Sequence, residues 1–232
     1  FGDTKGLVEA FGPDRVRDTP ISEAVMTGMA VGAAAAGYRV ICHLMFGNFL
    51  YTGFDAIANQ AAKLRYMTGG QVKLPIVFMA SCGGGRASAA QHSDSMHPLF
   101  MNMGGLHVAT PGTPADAKGM LKASIRGDNP VIYLTAGGRG GASGDVPDDP
   151  DFTVPVGKAA VVRVGRDATL VGVGSMVRPA LKAAEALAPD STDVGGLDHR
   201  CHAPLGLAST ARPRRTPLRR RRAPTGHQSS AT

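Results

Sequence analysis

Short runs dominated by Val, Ile and Leu recur at Arg39–Met45, Leu74–Ala80, Leu106–Ala109 and Pro130–Leu134, and stretches of helical spacing lie between them. Apolar runs of this length bounded by glycine or proline read as strands buried on both faces. Alternation with helices demands long crossover connections, and such connections pair strands in parallel. The expected class is therefore α/β, a mostly parallel sheet flanked by helices.

The helices carry their own punctuation. Thr19-Pro20 reads as an N-cap followed by proline at the first helical position, opening a helix to about Ala36. Phe49 to Met67 places Leu50, Phe54, Ile57, Ala61 and Leu64 at helical spacing, and Gly69-Gly70 stops it. Thr113-Pro114 repeats the capping signature and opens a helix that ends near Gly127. Residues 136–153 are rich in Gly, Pro and Asp and read as a linker or loop. Beyond them, Ala159–Val164, Ala168–Val173 and a helix at Val177–Leu187 open a second α/β domain that the tail leaves incomplete. The expected organisation is a first domain over 1–153, the start of a second over 154–188 and a tail over 189–232.

Ala24–Gly37, the longest apolar run, falls short of the roughly 20 residues that cross a bilayer and contains Thr27 and three glycines, so it reads as a buried helix. Gly28 and Gly32 within it form a GxxxG pattern, which in a soluble core marks close packing against a neighbouring element.

The net charge of +7 invites a nucleic-acid reading until it is divided along the chain. Eight arginines against three aspartates give residues 189–232 a charge of +5, which leaves +2 for the rest. The tail holds five prolines, no lysine and no aromatic residue, a composition that does not pack, and it offers no stacking surface for bases. It is expected to be disordered, and the abrupt dominance of Arg, Pro and Ala is consistent with a shifted reading frame. Three well-separated cysteines, Cys42, Cys82 and Cys201, draw neither a disulfide framework nor a CxxC metal site, which suits a reducing, cytoplasmic setting.

Three features could carry chemistry. Gly83–Ser88 follows a strand but lacks the last glycine of a dinucleotide fingerprint and the acidic residue expected about 20 positions later, so it reads as a flexible turn. His92, between Gln91 and Ser93, suits a ligand-facing loop; pairing it with Cys82 or Ser93 would make a small hydrolase, but no nucleophile-elbow pattern accompanies it. Glu23 stands among apolar residues at a helix start, either as a cap or as an acid able to exchange a proton near neutral pH.

Taken in order, Asp18-Thr19-Pro20-Ile21-Ser22-Glu23, Arg65–Gln71 (RYMTGGQ), Ala89-Ala90-Gln91-His92-Ser93, Asp116-Ala117-Lys118-Gly119 and Asn129-Pro130-Val131-Ile132 resemble the beta subunit of 2-oxo acid dehydrogenases of the pyruvate, branched-chain and acetoin type. The resemblance runs from Phe1 to about Leu187. It implies a transketolase-like pyrimidine-binding domain in an α2β2 heterotetramer with thiamine diphosphate held between subunits. By similarity, Glu23 pairs with the aminopyrimidine ring nitrogen, Met45 and Phe49 pack against that ring, and His92 assists substrate handling and acyl transfer to the lipoyl group of the complex's acyltransferase. The same resemblance suggests a structural potassium ion on the backbone carbonyls of Ile76, Ser124, Ile125, Gly127 and Asn129. Mg²⁺ and the diphosphate belong to the alpha subunit's GDG motif, which this sequence does not contain. The chain departs from the pattern at His43, Thr52 and Thr135, lacks the family's N-terminal segment and stops matching after about Ala188. Those departures keep a second reading open, an inactive truncated homologue or an interaction protein with a basic tail.

Overall fold

The computed structural model describes residues 2, 4–85, 87–136, 143–190 and 192–203. Six α-helices and eight strands alternate along them: α1 (Leu7–Phe11), α2 (Glu23–Ala35), β1 (Val40–Phe46), α3 (Leu64–Met67), β2 (Ile76–Cys82), α4 (His97–Met101), β3 (His107–Ala109), α5 (Pro114–Arg126), β4 (Val131–Ala136), β5 (Ala160–Arg163), β6 (Ala168–Gly172), α6 (Val177–Leu187), β7 (Val194–Asp198) and β8 (Cys201–Ala203). The first sheet has the order β1-β2-β4-β3-β8, and its first four strands are parallel. In the second, β5-β7-β6, the β6–β7 pair is parallel and the β5–β7 pair antiparallel.

The central strands β2 and β4 are buried on both faces, as their runs predicted, whereas β1 at the sheet edge leaves Ile41 50% exposed. Alternation along β2 and β4 sends Ile76, Phe78, Ile132 and Leu134 to one face, where Ala30, Val31 and Ala34 of α2 and Phe100 of α4 cover them. Val77, Val131 and Tyr133 face the other way, against Met120 of α5 and Val154. Tyr133 satisfies its hydroxyl there by donating to the Ala117 carbonyl at 2.7 Å.

Several expectations need correction. α2 begins at Glu23, with Ser22 in the capping position, and the Thr19-Pro20 signature lies before it. The single helix expected over Phe49–Met67 is broken into a 3-10 turn at Gly47–Tyr51, a π-helical segment at Ala56–Ala61 and the short α3. The break follows from packing: a side chain at Gly53 would come within 2.6 Å of the Thr27 side chain, so this chain segment approaches α2 as closely as glycine allows. Gly28 and Gly32 do not serve close packing within the chain. Both are exposed, a Cβ on either would meet nothing within 4 Å, and Val25 and Met29 beside them are 61% and 52% exposed. α2 is thus buried along one face only.

The linker reading of 136–153 is corrected over its second half. Lys118 and Lys122 donate to the carbonyls of Pro147 and Pro150, and Arg126 pairs with Asp151 at 3.0 Å, so cations one helical turn apart fasten this segment along α5. Phe152, Val154 and Val156 pack on the first sheet's far face.

The tail also departs from expectation. β7 lies at the centre of the second sheet and β8 joins the first beside β3, so residues 194–203 are ordered into both. Two glycines make this workable: the backbones of Gly165 and Gly195 approach so closely that a Cβ on Gly165 would fall 2.0 Å from the Gly195 nitrogen. The remainder of the expected disordered tail, 204–232, lies outside the described residues.

Candidate functional site

In sheets of this kind the C-terminal edge of the parallel strands is where loops converge and ligands bind. Met45 and Phe46 end β1 at that edge, and the glycine-rich loop with His92 leaves the end of β2 there. The connection from α2 to β1 spans only residues 36–39, so the helix runs back along the strand and its first residue, Glu23, is carried to the same edge. Thr27, one turn into the helix, is buried against Gly53 and donates to the Glu23 carbonyl at 2.7 Å, which fixes the helix start beside the Gly47–Tyr51 turn.

The Glu23 carboxylate is half-buried and has no hydrogen-bond or ion-pair partner among the described residues. Across the edge, Phe46, Phe49 and His92 form an aromatic cluster. The His92 ring lies edge-on to Phe46 at 4.5 Å and to Phe49 at 5.4 Å, and the two phenyl rings meet at 5.9 Å. His92 Nδ1 is buried and has no hydrogen-bond partner among the described residues. Met45 adopts φ 60° beside the irregularity where β1 slips register against β2 between His43 and Phe46. Left-handed backbone in a non-glycine residue is strained, and it turns the 43% exposed Met45 side chain out of the regular ladder. Ser81 and Thr135 share a 3.3 Å hydroxyl contact across the ends of β2 and β4, which keeps the strand ends polar.

Phe49 and His92 are therefore together, and Glu23 shares their edge of the sheet. The pairing of His92 with Ser93 is not supported: the Ser93 hydroxyl donates to the Ala89 carbonyl at 2.8 Å, and the histidine ring is engaged with phenylalanines. Sequence reasoning missed Phe46, whose signal was available in the Phe-Gly-Asn-Phe run, and it missed Asn48 and Asp94, for which no local pattern exists.

The five carbonyls named for potassium lie around the opposite, N-terminal edge, at the end of α5 and the start of β2 and β4. Two of them are already used: Arg39 Nη1 donates to the Ile125 carbonyl at 3.0 Å and to the Gly127 carbonyl at 2.6 Å, and its Nη2 meets Asp128 at 2.9 Å. A guanidinium thus supplies the positive charge at the helix C-terminus, and the set does not fit a metal ion while Arg39 stays in place. At that edge too lies a shallow recess of about 450 Å³ lined by Arg65, Tyr66, Gly69, Gly105 and Pro130, remote from Glu23 and His92.

Residues 1–137 match the pyrimidine-binding domain of transketolase, and residues 157–215 match the transketolase C-terminal domain. The chain belongs to the transketolase pyrimidine-binding family. Its relatives include the beta subunit of acetoin:2,6-dichlorophenolindophenol oxidoreductase from Bacillus subtilis, 45% identical over 88% of this chain and 60% of that protein. The pyruvate dehydrogenase E1 beta subunit of Rhizobium meliloti is 46% identical over 88% of this chain and 44% of its own length, and the 2-oxoisovalerate dehydrogenase beta subunit of Bacillus subtilis is 40% identical over 88% and 63%. The chain therefore spans about half to three fifths of the length of these beta subunits. Among solved structures, a split-gene transketolase described as an inactive beta4 tetramer superposes with a TM-score of 0.68 at 22% identity, covering 86% of this chain and 61% of that one, which supports the transketolase-like fold. Homology extends past Ala188, where the sequence resemblance was expected to stop. No helix among the described residues is long and apolar enough to cross a membrane.

Proposed function

We propose that this chain is the beta subunit of a thiamine-diphosphate-dependent 2-oxo acid dehydrogenase and supplies the half-site that holds and activates the aminopyrimidine ring. The observation that carries the reading is the uncommitted, half-buried Glu23 carboxylate at the start of α2, on the same edge as an aromatic cluster with an unsatisfied histidine nitrogen. A flat heteroaromatic ring with a basic nitrogen fits between such groups: apolar side chains exclude water from its faces, and a carboxylate at its edge exchanges a proton with the nitrogen.

Bound thiamine diphosphate supplies the electron sink for decarboxylation of the 2-oxo acid. The chain's own residues bind, orient and move protons. Glu23 would hold a proton at the pyrimidine nitrogen. Met45 and Phe49 wall the ring. His92 would supply an imidazole able to donate or accept a proton as the acyl group passes to a lipoyl domain.

Mg²⁺ and the diphosphate require groups from an alpha subunit, and the exposed apolar face of α2, with Val25, Gly28, Met29 and Gly32, suits a partner helix packed closely in an α2β2 assembly. The lipoyl-bearing acyltransferase is the downstream partner, and the absence of a disulfide among the three cysteines suits a reducing, cytoplasmic setting. Co-expression with an alpha subunit of this family tests the reading: a heteromeric complex whose 2-oxo acid decarboxylation depends on added thiamine diphosphate supports it, and a complex without such activity points to the inactive homologue.

A further inference from the structure

The loop that carries His92 has little regular structure to hold it. It leaves β2 through glycines at positive φ, Gly83 and Gly85, passes Ala87 at φ 53° and Ala89 at φ 66°, and forms one 3-10 turn at Ala90–His92. The turn is closed internally by Ser93 N and Ser93 Oγ on the carbonyls of Ala90 and Ala89. None of these bonds fixes the turn against the body of the protein.

Two residues do. Asn48, between Phe46 and Phe49 in the turn after β1, donates from Nδ2 to Asp94 Oδ2 at 2.8 Å, and Asp94 N donates back to Asn48 Oδ1 at 3.3 Å. Both ends of one amide side chain are satisfied by one residue, so separation and rotation are set together. The Asp94 carbonyl accepts Gly83 N at 2.9 Å, closing the loop onto the end of β2. His92 lies two residues before Asp94, and the two rings it abuts flank Asn48 on either side.

We infer that Asn48 and Asp94 are positioning residues that lock the His92 loop onto the Phe46–Phe49 turn through this reciprocal pair and so fix the imidazole at the active-site edge. Its kinetic consequence rests on the role proposed for His92; its structural content does not. Both bonds are exposed, so the pair bears on orientation more than on global stability. A displacement of the order of 1 Å at a reacting group costs about 10²-fold in rate.

The test uses the full chain, first alone and then with its alpha subunit. The His92 ring protons, assigned by their disappearance in His92→Gln, are followed by NMR in Asn48→Ala, Asp94→Ala and Asp94→Asn. Both alanine variants should move the His92 resonances toward those of a histidine without neighbouring rings while the unfolding midpoint stays near wild type. Asp94→Asn, which keeps an acceptor for Asn48 and the same backbone donor, should leave them in place. In the complex, Asp94→Ala should lower kcat and kcat/KM together by about 10- to 100-fold with KM unchanged, and Asp94→Asn should restore both. Unchanged His92 resonances in both alanine variants would overturn the proposal. If the resonances move but His92→Ala retains full turnover, the lock stands and the catalytic role of His92 falls.

Discussion

Asp116 Oδ1 lies 2.7 Å from Arg200 Nη2, an ion pair between α5 on the first sheet and the loop after β7 in the second, with the aspartate side chain 2% exposed. Asp198 is buried beside them and accepts from Arg200 N at 2.9 Å, so two carboxyl groups meet at one arginine, Asp116 through the guanidinium and Asp198 through the backbone N–H. Burial first, and then the charge of Asp116, push the Asp198 carboxyl up to about 6.

Stability should therefore depend on pH with a definite sign. An acid whose folded value is raised binds more protons folded than unfolded, so its contribution is complete below the unfolded value near 4 and is lost as pH rises through about 6. Tyr133, itself raised by burial and by Asp116, and the Cys201 thiol, raised by burial, also border the cluster, but neither ionises in this range. The wild-type chain should lose about 1–3 kcal/mol from this pair between pH 4.5 and 7, and Asp198→Asn should flatten the denaturation midpoint over that interval.

Removing the cation should cost more than removing either acid. Arg200→Leu leaves two buried carboxyls without a counter-charge and should destabilise by about 3 kcal/mol in urea titrations. Adding Asp116→Asn to that variant should recover part of the loss, because the remaining site then holds a single acid.

At the start of α2 the contact is steric. A Cβ at Gly53 falls 2.6 Å from Thr27, so Gly53→Ala should destabilise by about 1–3 kcal/mol and, by shifting the helix that presents Glu23, weaken thiamine diphosphate binding in the assembled complex. Thr27→Ser in the same chain should restore a portion of both.

At the other edge, Arg39→Met should remove the cation from the end of α5 and cost about 1–2 kcal/mol, part of it retained by the exposed Lys73–Asp128 pair. Exchanging KCl for tetramethylammonium chloride should leave the wild-type midpoint unchanged, since the guanidinium holds two of the five carbonyls; a potassium-specific rise would establish the ion there.

Much of this was legible in the sequence. The four strands of the parallel sheet were found within about two residues because each is an apolar run with no competing signal, and α5 was found because the Thr113 side chain accepts from Asp116 N as its pattern announced. The breaks between residues 47 and 67 were not legible, since the spacing of Leu50, Ile57 and Leu64 satisfies one helix equally well and only the Gly53–Thr27 contact decides against it. β7 was invisible for the opposite reason: Gly195 and Gly196 have no strand propensity, and pairing with β5 and β6 overrides it. At the candidate site, Glu23 and His92 were named from their residue types and Phe49 from the family resemblance, whereas Asn48 and Asp94 are 46 positions apart and meet only through the fold.

The most direct measurement is thiamine-dependent decarboxylation of a 2-oxo acid by the complex of this chain with its alpha subunit, wild type against Glu23→Gln. The glutamine keeps the size and hydrogen-bonding reach of the side chain but cannot exchange a proton with the pyrimidine nitrogen. Turnover should fall about 10²- to 10⁴-fold with the complex intact. Wild-type turnover from the Glu23→Gln complex would contradict the assignment of this edge of the sheet as the cofactor-activating half-site.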